Sequence, residues 1–380
     1  MSASAQRQTV VLCGPSTQLD AGGYGGGKGG FVRNVDALLE HFSDGDVTMT
    51  LSPYSTRRFS RWWMVMLPLR LVSDLRVFVR NIRRGAAVHM MMTYGMAIYR
   101  EFGMSLIAAL LRRPVILDIR GGSFVPWLES AGWMKRAMAH WSLRHAEIVL
   151  GQGRAVVSYL RPLYGEKVHH FPNFVQKRYW PAEVPRRCRS RELAVIFVGY
   201  CYDGKGVFEL VEGCSRAVLC GMSMRLTLVG AESADFKRFL DGYAAPAGLT
   251  IERRGTLDFD AVQEVLSRSD VFCFPTRHFG EGHPNAITEA MAHGVTIVTT
   301  RHGFIPELLD ESTAYFVEPG SAQAIADALV RIDANREEAC DKASKARAEV
   351  AARFSEAGVL GNLREHYQRV LRRSTTLGGK

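Results

Sequence analysis

Short apolar runs alternate with helical patterns along almost the whole chain. In the first half, runs at Thr9–Cys13, Val47–Leu51, Val88–Thr93, Val115–Ile119, Ile148–Leu150 and Val168–Phe171 are separated by helical patterns at Gly30–Phe42, Met104–Leu111 and Ala155–Leu163. The second half repeats the alternation. Its apolar runs are Leu193–Val198, Arg225–Val229, Thr250–Arg253, Val271–Phe274, Thr296–Val298 and Ala314–Val317, and its helical patterns Val207–Leu219, Phe259–Leu266 and Ile287–Ala292. Such β/α alternation predicts an α/β protein with parallel sheets covered by helices.

A length of 380 residues is long for one core, so two domains are expected. The polar stretch Gln176–Arg191, with Pro181, Pro185 and five arginines, is the best linker candidate. The expected division is a Rossmann-like first domain over 1–178, a linker over 179–191, a Rossmann-like second domain over 192–354 and a terminal helix over 355–380. The tail from Ser321 reads as helix throughout, broken near Phe354-Ser355. Val359, Leu360, Leu363, Tyr367, Val370 and Leu371 share one face of its last segment.

Composition is that of an ordinary soluble protein, 47% hydrophobic and 23% charged. The first dozen residues lack the apolar run of a signal peptide. The most apolar span, Trp62–Val79, is interrupted by Pro68, Arg70, Asp74 and Arg76, which argues against a transmembrane helix. Seven cysteines, with no C-x-x-C pair, fit a reduced, cytoplasmic chain without a structural metal. The net charge of +10 is uneven: residues 1–185 hold 23 Lys/Arg against 12 Asp/Glu, residues 186–380 hold 25 against 26. A basic half joined to a neutral one points to an anionic partner or surface. The segment from Arg57 to Pro68 mixes arginine with Trp62, Trp63 and methionine. It fits core packing or an interfacial membrane anchor; no recognised RNA or DNA module accompanies it.

The richest chemistry lies at Glu281-Gly-His-Pro-Asn-Ala-Ile-Thr-Glu289-Ala-Met-Ala-His-Gly294. Pro284 and Asn285 begin a predicted helix and Gly294 ends it. Strands are expected on both sides, so Glu281 falls on a loop at a strand's carboxyl end, where open α/β sheets bind ligands. The helix start suits a phosphate and the two carboxylates suit sugar hydroxyls, together a site for a nucleotide sugar.

This stretch resembles the E-x(7)-E motif of family 4 retaining glycosyltransferases. The resemblance extends from about Leu193 to Ile332 through Phe197-Val-Gly199, Lys205-Gly206, Leu228-Val-Gly230, Gly255, Ser269–Thr276 and Gly303–Leu309. It implies the GT-B fold, two Rossmann-like β/α/β domains facing a central cleft, with the last helix crossing back to the first domain. It also implies transfer of a sugar from a nucleotide-diphosphate donor to a lipid-linked or glycan acceptor, without metal or cofactor. In that reading Glu281 holds sugar hydroxyls, Glu289 holds ribose hydroxyls, and Gly199, Gly282, His283, Pro284, Asn285 and Ala286 line the donor. Lys205 meets the diphosphate. The family usually places arginine directly after the glycine at 199; here Tyr200 stands there, and Arg254 is the candidate replacement. A nucleotide-sugar epimerase on the same architecture and a non-catalytic nucleotide-sugar-binding protein are the alternatives.

Gly22–Gly30 follows the first strand and opens the first helix. Gly29 occupies the Mg²⁺-binding Ser/Thr position of a P-loop, and the second strand lacks the acid of a dinucleotide fold, so neither template holds. Similar loops in the resembling family face the donor diphosphate, with Gly29 and Gly30 the best-matched positions. Arg120 ends a strand beside Asp118; it suits either an anionic donor or acceptor group or an ion pair with Asp118. Asp44/Asp46 and Asp258/Asp260 match D-x-D metal triplets, but sit where turn and helix-cap chemistry are expected.

Overall fold

The computed structural model describes residues 8–15, 30–54, 61–83, 85–181 and 192–377. The chain divides into two compact units, Met1–Pro172 with Leu360–Lys380, and Asn173–Val359. Each is an α/β unit around a six-stranded, wholly parallel sheet.

The first sheet consists of β1 (Gln8–Gly14), β2 (Val47–Pro53), β3 (Ala87–Met92), β4 (Val115–Ile119), β5 (Ile148–Gly151) and β6 (Val168–His170), in the order β2-β1-β3-β4-β5-β6. Its helices are α1 (Gly30–His41), α2 (Arg61–Ile82), α3 (Ile98–Leu110), α4 (Phe124–Ser130), α5 (Trp133–His145) and α6 (Arg154–Tyr164). Every residue of β3, β4 and β5 is buried, as expected of strands covered by helices on both faces. Residues 61–68 of the segment weighed as core or membrane anchor open the 22-residue helix α2, with Pro68 inside it, and residues 57–60 lie outside the described residues. Proline removes a backbone donor there, which is why its pattern did not read as one helix. Helices α4 and α5 were likewise not legible as separate elements.

The second sheet consists of β7 (Leu193–Val198), β8 (Met224–Val229), β9 (Leu249–Gly255), β10 (Val271–Phe274), β11 (Thr296–Thr299) and β12 (Tyr315–Phe316), in the order β12-β11-β10-β7-β8-β9. Around it lie α7 (Val207–Leu219), α8 (Ala234–Asp241), α9 (Phe259–Ser267), α10 (Asn285–Ala292), α11 (Ala322–Ala334) and α12 (Arg336–Arg353), followed by α13 (Glu356–Leu377). Phe197 and Phe272, on β7 and β10, are fully buried at the centre of this core. Burial of each such ring contributes about 1.5–3 kcal/mol.

Chain order along the second sheet reverses at β7. From β7 the chain moves to β8 and β9 on one side, then returns to β10, β11 and β12 on the other. The carboxyl ends of β7 and β10 therefore flank a topological switch point, the usual crevice for ligands in open α/β sheets.

Residues 173–178, given to the first domain by the sequence reading, pack with the second unit. The Val175 N–H donates to the Phe354 carbonyl at 2.9 Å and the Lys177 N–H to Glu356 at 2.7 Å. From Leu360 onward α13 belongs to the first unit, where Tyr367 packs on Phe42 and His89. Most of the expected linker, residues 182–191, lies outside the described residues.

Candidate functional site

Two loops meet at the switch point of the second sheet. After β7 the chain passes Gly199 and Tyr200, then makes a single 3₁₀ turn over Asp203–Lys205 before α7. After β10 it passes Pro275, Thr276 and Glu281 before α10. Gly206 joins the two: its φ is +68°, and a Cβ there would stand 2.2 Å from the Pro275 carbonyl oxygen. Only glycine fits such an approach without strain.

Lys205 Nζ donates to Glu281 Oε2, and Thr276 Oγ1 donates to the same oxygen at 2.8 Å. Lys205 Nζ also lies 4.9 Å from the centroid of Phe274. The Lys205 and Glu281 side chains are 14% and 10% exposed, so their charges meet with little screening. The Glu281 backbone is fixed as well. Its N–H donates to the His278 carbonyl at 2.9 Å, and Gly303, at φ +57°, approaches so closely that a Cβ would stand 2.2 Å from the Glu281 carbonyl oxygen. A cation, a hydroxyl and a carboxylate thus converge at the sheet's carboxyl edge.

α10 begins at Asn285, with Pro284 at its cap and Gly294 (φ +60°) beyond its end, as its sequence predicts. Its first turn directs N–H groups and the positive end of the helix dipole toward the Gly282–Ala286 segment. The His283 carbonyl accepts from Asn173 Nδ2 at 2.6 Å, and its buried ring meets Phe354 edge-on at 4.9 Å. Glu289 is buried one turn into the helix. Its Oε2 accepts from Gln263 Nε2 at 3.1 Å, and Gln263 Oε1 bonds His293 Nε2 at 2.9 Å.

The structure places the other site candidates elsewhere. Arg254 ends the outermost strand, β9, where Glu252 holds it at 3.4 Å and half of its side chain is exposed. Two strand spacings, about 10 Å, separate that strand from β7. Tyr200 has its ring stacked on Tyr202 at 5.3 Å, and the Tyr202 hydroxyl bonds His278 Nδ1 at 2.6 Å. Burial, helped by the Lys205 charge, holds the His278 pKa below its ordinary value. Arg277, absent from the sequence reading, bridges Glu209 and Asp203 at 2.5 Å each. Thr276 and Gln263 were also missed as site residues, Thr276 although it closes a quoted motif block.

In the first unit Gly30 is the first residue of α1, and Gly29 lies outside the described residues. Arg120 is buried. Its Nε donates to Asp118 Oδ2 at 2.8 Å, and its guanidinium lies over Phe171 at 4.7 Å. Asp118 Oδ2 also meets His89 Nε2 at 3.3 Å, and His89 Nδ1 meets the Tyr367 hydroxyl at 2.5 Å. Arg120 thus forms the ion pair with Asp118 that was weighed beside an anion-binding role. Asp258 and Asp46, one from each D-x-D triplet, make cap and side-chain contacts. Asp258 caps α9 by accepting from the Ala261 N–H at 2.8 Å, and Asp46 accepts from Arg364 and Gln368. Among the described residues no group of three or more His, Cys, Asp or Glu is arranged to hold a metal.

Residues 192–335 match the model of the family described as Glycosyl transferases group 1. The amylovoran biosynthesis glycosyltransferase AmsK of Erwinia amylovora is 26% identical over 192 residues, 49% of this chain and 47% of that protein. A putative colanic acid biosynthesis glycosyltransferase, WcaL of Salmonella typhimurium, is 29% identical over 44% of this chain and 43% of its own length. The chain thus spans less than half the length of these curated relatives. Among solved structures, Anabaena HepE in complex with UDP superposes with a TM-score of 0.71 at 14% identity, covering 95% of this chain and 100% of that one. Sucrose-phosphate synthase from Thermosynechococcus elongatus gives 0.68 at 17% identity, covering 97% and 100%. At such identities these likenesses establish the fold alone.

Proposed function

We propose that this chain, whose residues 192–335 match the model of the group 1 glycosyl transferases and whose fold is GT-B, is a retaining glycosyltransferase that uses a nucleotide-diphosphate sugar. The observation that carries this reading is the Lys205–Glu281–Thr276 cluster at the switch point of the second sheet. In the chemistry proposed, the bond between the sugar's anomeric carbon and the diphosphate oxygen breaks, and negative charge grows on the leaving diphosphate. The acceptor hydroxyl oxygen bonds to the same face of that carbon, and its proton passes to a leaving-phosphate oxygen, so no protein nucleophile enters.

Lys205 and the first N–H groups of α10 supply preorganised positive potential to the diphosphate. In the structure Lys205 is paired with Glu281. Arrival of the more highly charged diphosphate draws the ammonium toward phosphate, and Glu281 is then available to accept from sugar hydroxyls. Glu289, braced by Gln263, is assigned to the ribose hydroxyls on the strength of the motif resemblance. The transferred sugar is assigned as a hexosyl group, the acceptor as a lipid-linked glycan or glycolipid of the bacterial envelope, and the protein itself to the cytoplasm, peripheral at the inner face of the membrane. Relatives named for amylovoran and colanic acid biosynthesis support that assignment, and the basic first half of the chain supports work at an anionic membrane surface.

A thermal-shift screen of UDP-, GDP-, ADP- and TDP-sugars tests the donor reading. One class should raise the unfolding temperature, since a ligand at a hundred times its Kd stabilises by about 2.7 kcal/mol. Glu289→Ala should abolish that shift while the protein stays folded. No shift with any donor sinks the reading, and an epimerised donor formed without acceptor turns it toward the isomerase alternative. A second expectation concerns metal: turnover should persist in EDTA without added Mn²⁺ or Mg²⁺. Activity lost to chelator and restored by metal would reopen the Asp44/Asp46 and Asp258/Asp260 triplets as ligands.

A further inference from the structure

The first unit carries most of the chain's charge excess on one group of neighbouring helices. Strand order runs outward from β1 through β3, β4, β5 and β6, and right-handed crossovers place α2, α3, α5 and α6 on the same side of that sheet. Three of them form a continuous layer. Arg100 of α3 lies 3.9 Å from Asp74 of α2, Phe102 of α3 packs on Trp141 of α5 at 5.3 Å, and Lys135 of α5 approaches the Tyr99 ring at 5.9 Å.

The sequence from 61 to 145 holds 13 Lys/Arg and only 4 Asp/Glu. Three of those acids, Asp74, Glu101 and Asp118, are buried, which leaves Glu129 as the exposed one. On α2 the exposed positions recur at helical spacing as Leu69, Val72, Arg76 and Arg80, and Arg83 follows in the turn after it. Among the described residues, Arg76, Arg80 and Arg136 enter no ion pair.

The same layer exposes large apolar side chains that an ordinary soluble surface would not concentrate. Leu110 of α3 is 74% exposed and Trp133 of α5 is 79% exposed, with Leu69 of α2 at 64%. Leu106 and Leu110 stand one turn apart on the outer face of α3. Apolar groups interspersed with arginine, with almost no exposed acid between them, match an interface that is apolar at depth and negative at its surface. An anionic bilayer has both properties. A soluble polyanion would match the arginines but leave the leucines and the tryptophan without a partner. No helix among the described residues is long and apolar enough to cross a membrane, so such contact would lie along the surface.

We propose that the outer face of α2, α3 and α5 docks on an anionic lipid bilayer, the arginines meeting headgroups and Leu69, Leu110 and Trp133 entering the interface. This rests on the membrane-surface part of the functional reading and gives it a location. Flotation with phosphatidylcholine vesicles, with and without phosphatidylglycerol, tests it at low and high salt. The wild type should float with anionic vesicles only, and less at high salt. Arg76→Gln, Arg80→Gln and Arg136→Gln together should weaken binding about a hundredfold, roughly five-fold per cation. Leu110→Ser with Trp133→Ser should remove the salt-resistant remainder. Arg238→Gln with Arg268→Gln, on the second unit, serves as the matched control and should change nothing. Far-UV circular dichroism of each variant establishes that it is folded. If wild type and both face variants float alike, this face is wrong while the membrane reading stands. If wild type fails with both vesicles, or binds heparin but no vesicle, the membrane reading fails too and glycosyl transfer remains to be judged by the donor screen.

Discussion

Lys205→Met is expected to lower sugar transfer by at least tenfold while the protein remains folded. Lys205 is the cation that the structure brings into the switch-point cluster, and its partner Glu281 is itself a proposed substrate contact. Charge-assisted hydrogen bonds contribute about 1.5–3 kcal/mol, or roughly 10–150-fold in rate if made only as charge grows on the diphosphate. The substitution also leaves the Glu281 carboxylate with Thr276 as its remaining partner in the cluster, so some stability is lost with it. Glu281→Gln separates the two effects. The double variant Lys205→Met/Glu281→Gln removes both charges and should recover much of the thermal stability of the lysine variant without recovering transfer. Steady-state rates and unfolding temperatures of the four proteins form a double-mutant cycle. Wild-type turnover in a folded Lys205→Met would take that residue out of the site.

Asp118→Leu is expected to destabilise the first unit by about 3–5 kcal/mol. Asp118 is fully buried and accepts from Arg120, itself 4% exposed, while also meeting His89. Without the carboxylate, a guanidinium is left in the core with its counter-charge gone and only the Phe171 face to soften the loss. His89 loses the partner that orients its ring toward Tyr367. Replacing both members, Asp118→Leu with Arg120→Met, should restore most of the stability, because neither charge then has to be desolvated. Denaturant unfolding measures this. A single variant as stable as wild type would mean that Arg120 reaches solvent or another acid.

Alternating periodicity was enough to place most strands and helices, the start of α10 at Asn285 and its stop at Gly294, and the cap at Asp258. Those features are local: side-chain period follows burial, and cap and turn residues act within one turn of themselves. The motif block between β10 and β11 was legible for the same reason. Helix α2 was not, because Pro68 interrupts the pattern that packing nevertheless carries through. Which strands are neighbours was likewise hidden, since the pairing of β10 with β7 joins segments more than 70 residues apart. That order alone puts Lys205 against Glu281 and Thr276, and leaves Arg254 on an outer strand. The same holds for Arg120, whose charge and position at a strand end were plain in the sequence. Its pairing with Asp118 was weighed there too, but the groups that meet Asp118 and cover Arg120 come from elsewhere: His89 on a neighbouring strand, itself bonded to Tyr367 of a helix near the chain's end, and Phe171 beyond β6. Local pattern tells which residues are buried or turn the chain; the partner that a buried charge finds depends on how distant elements pack, because burying it unpaired costs more than any local preference can offset.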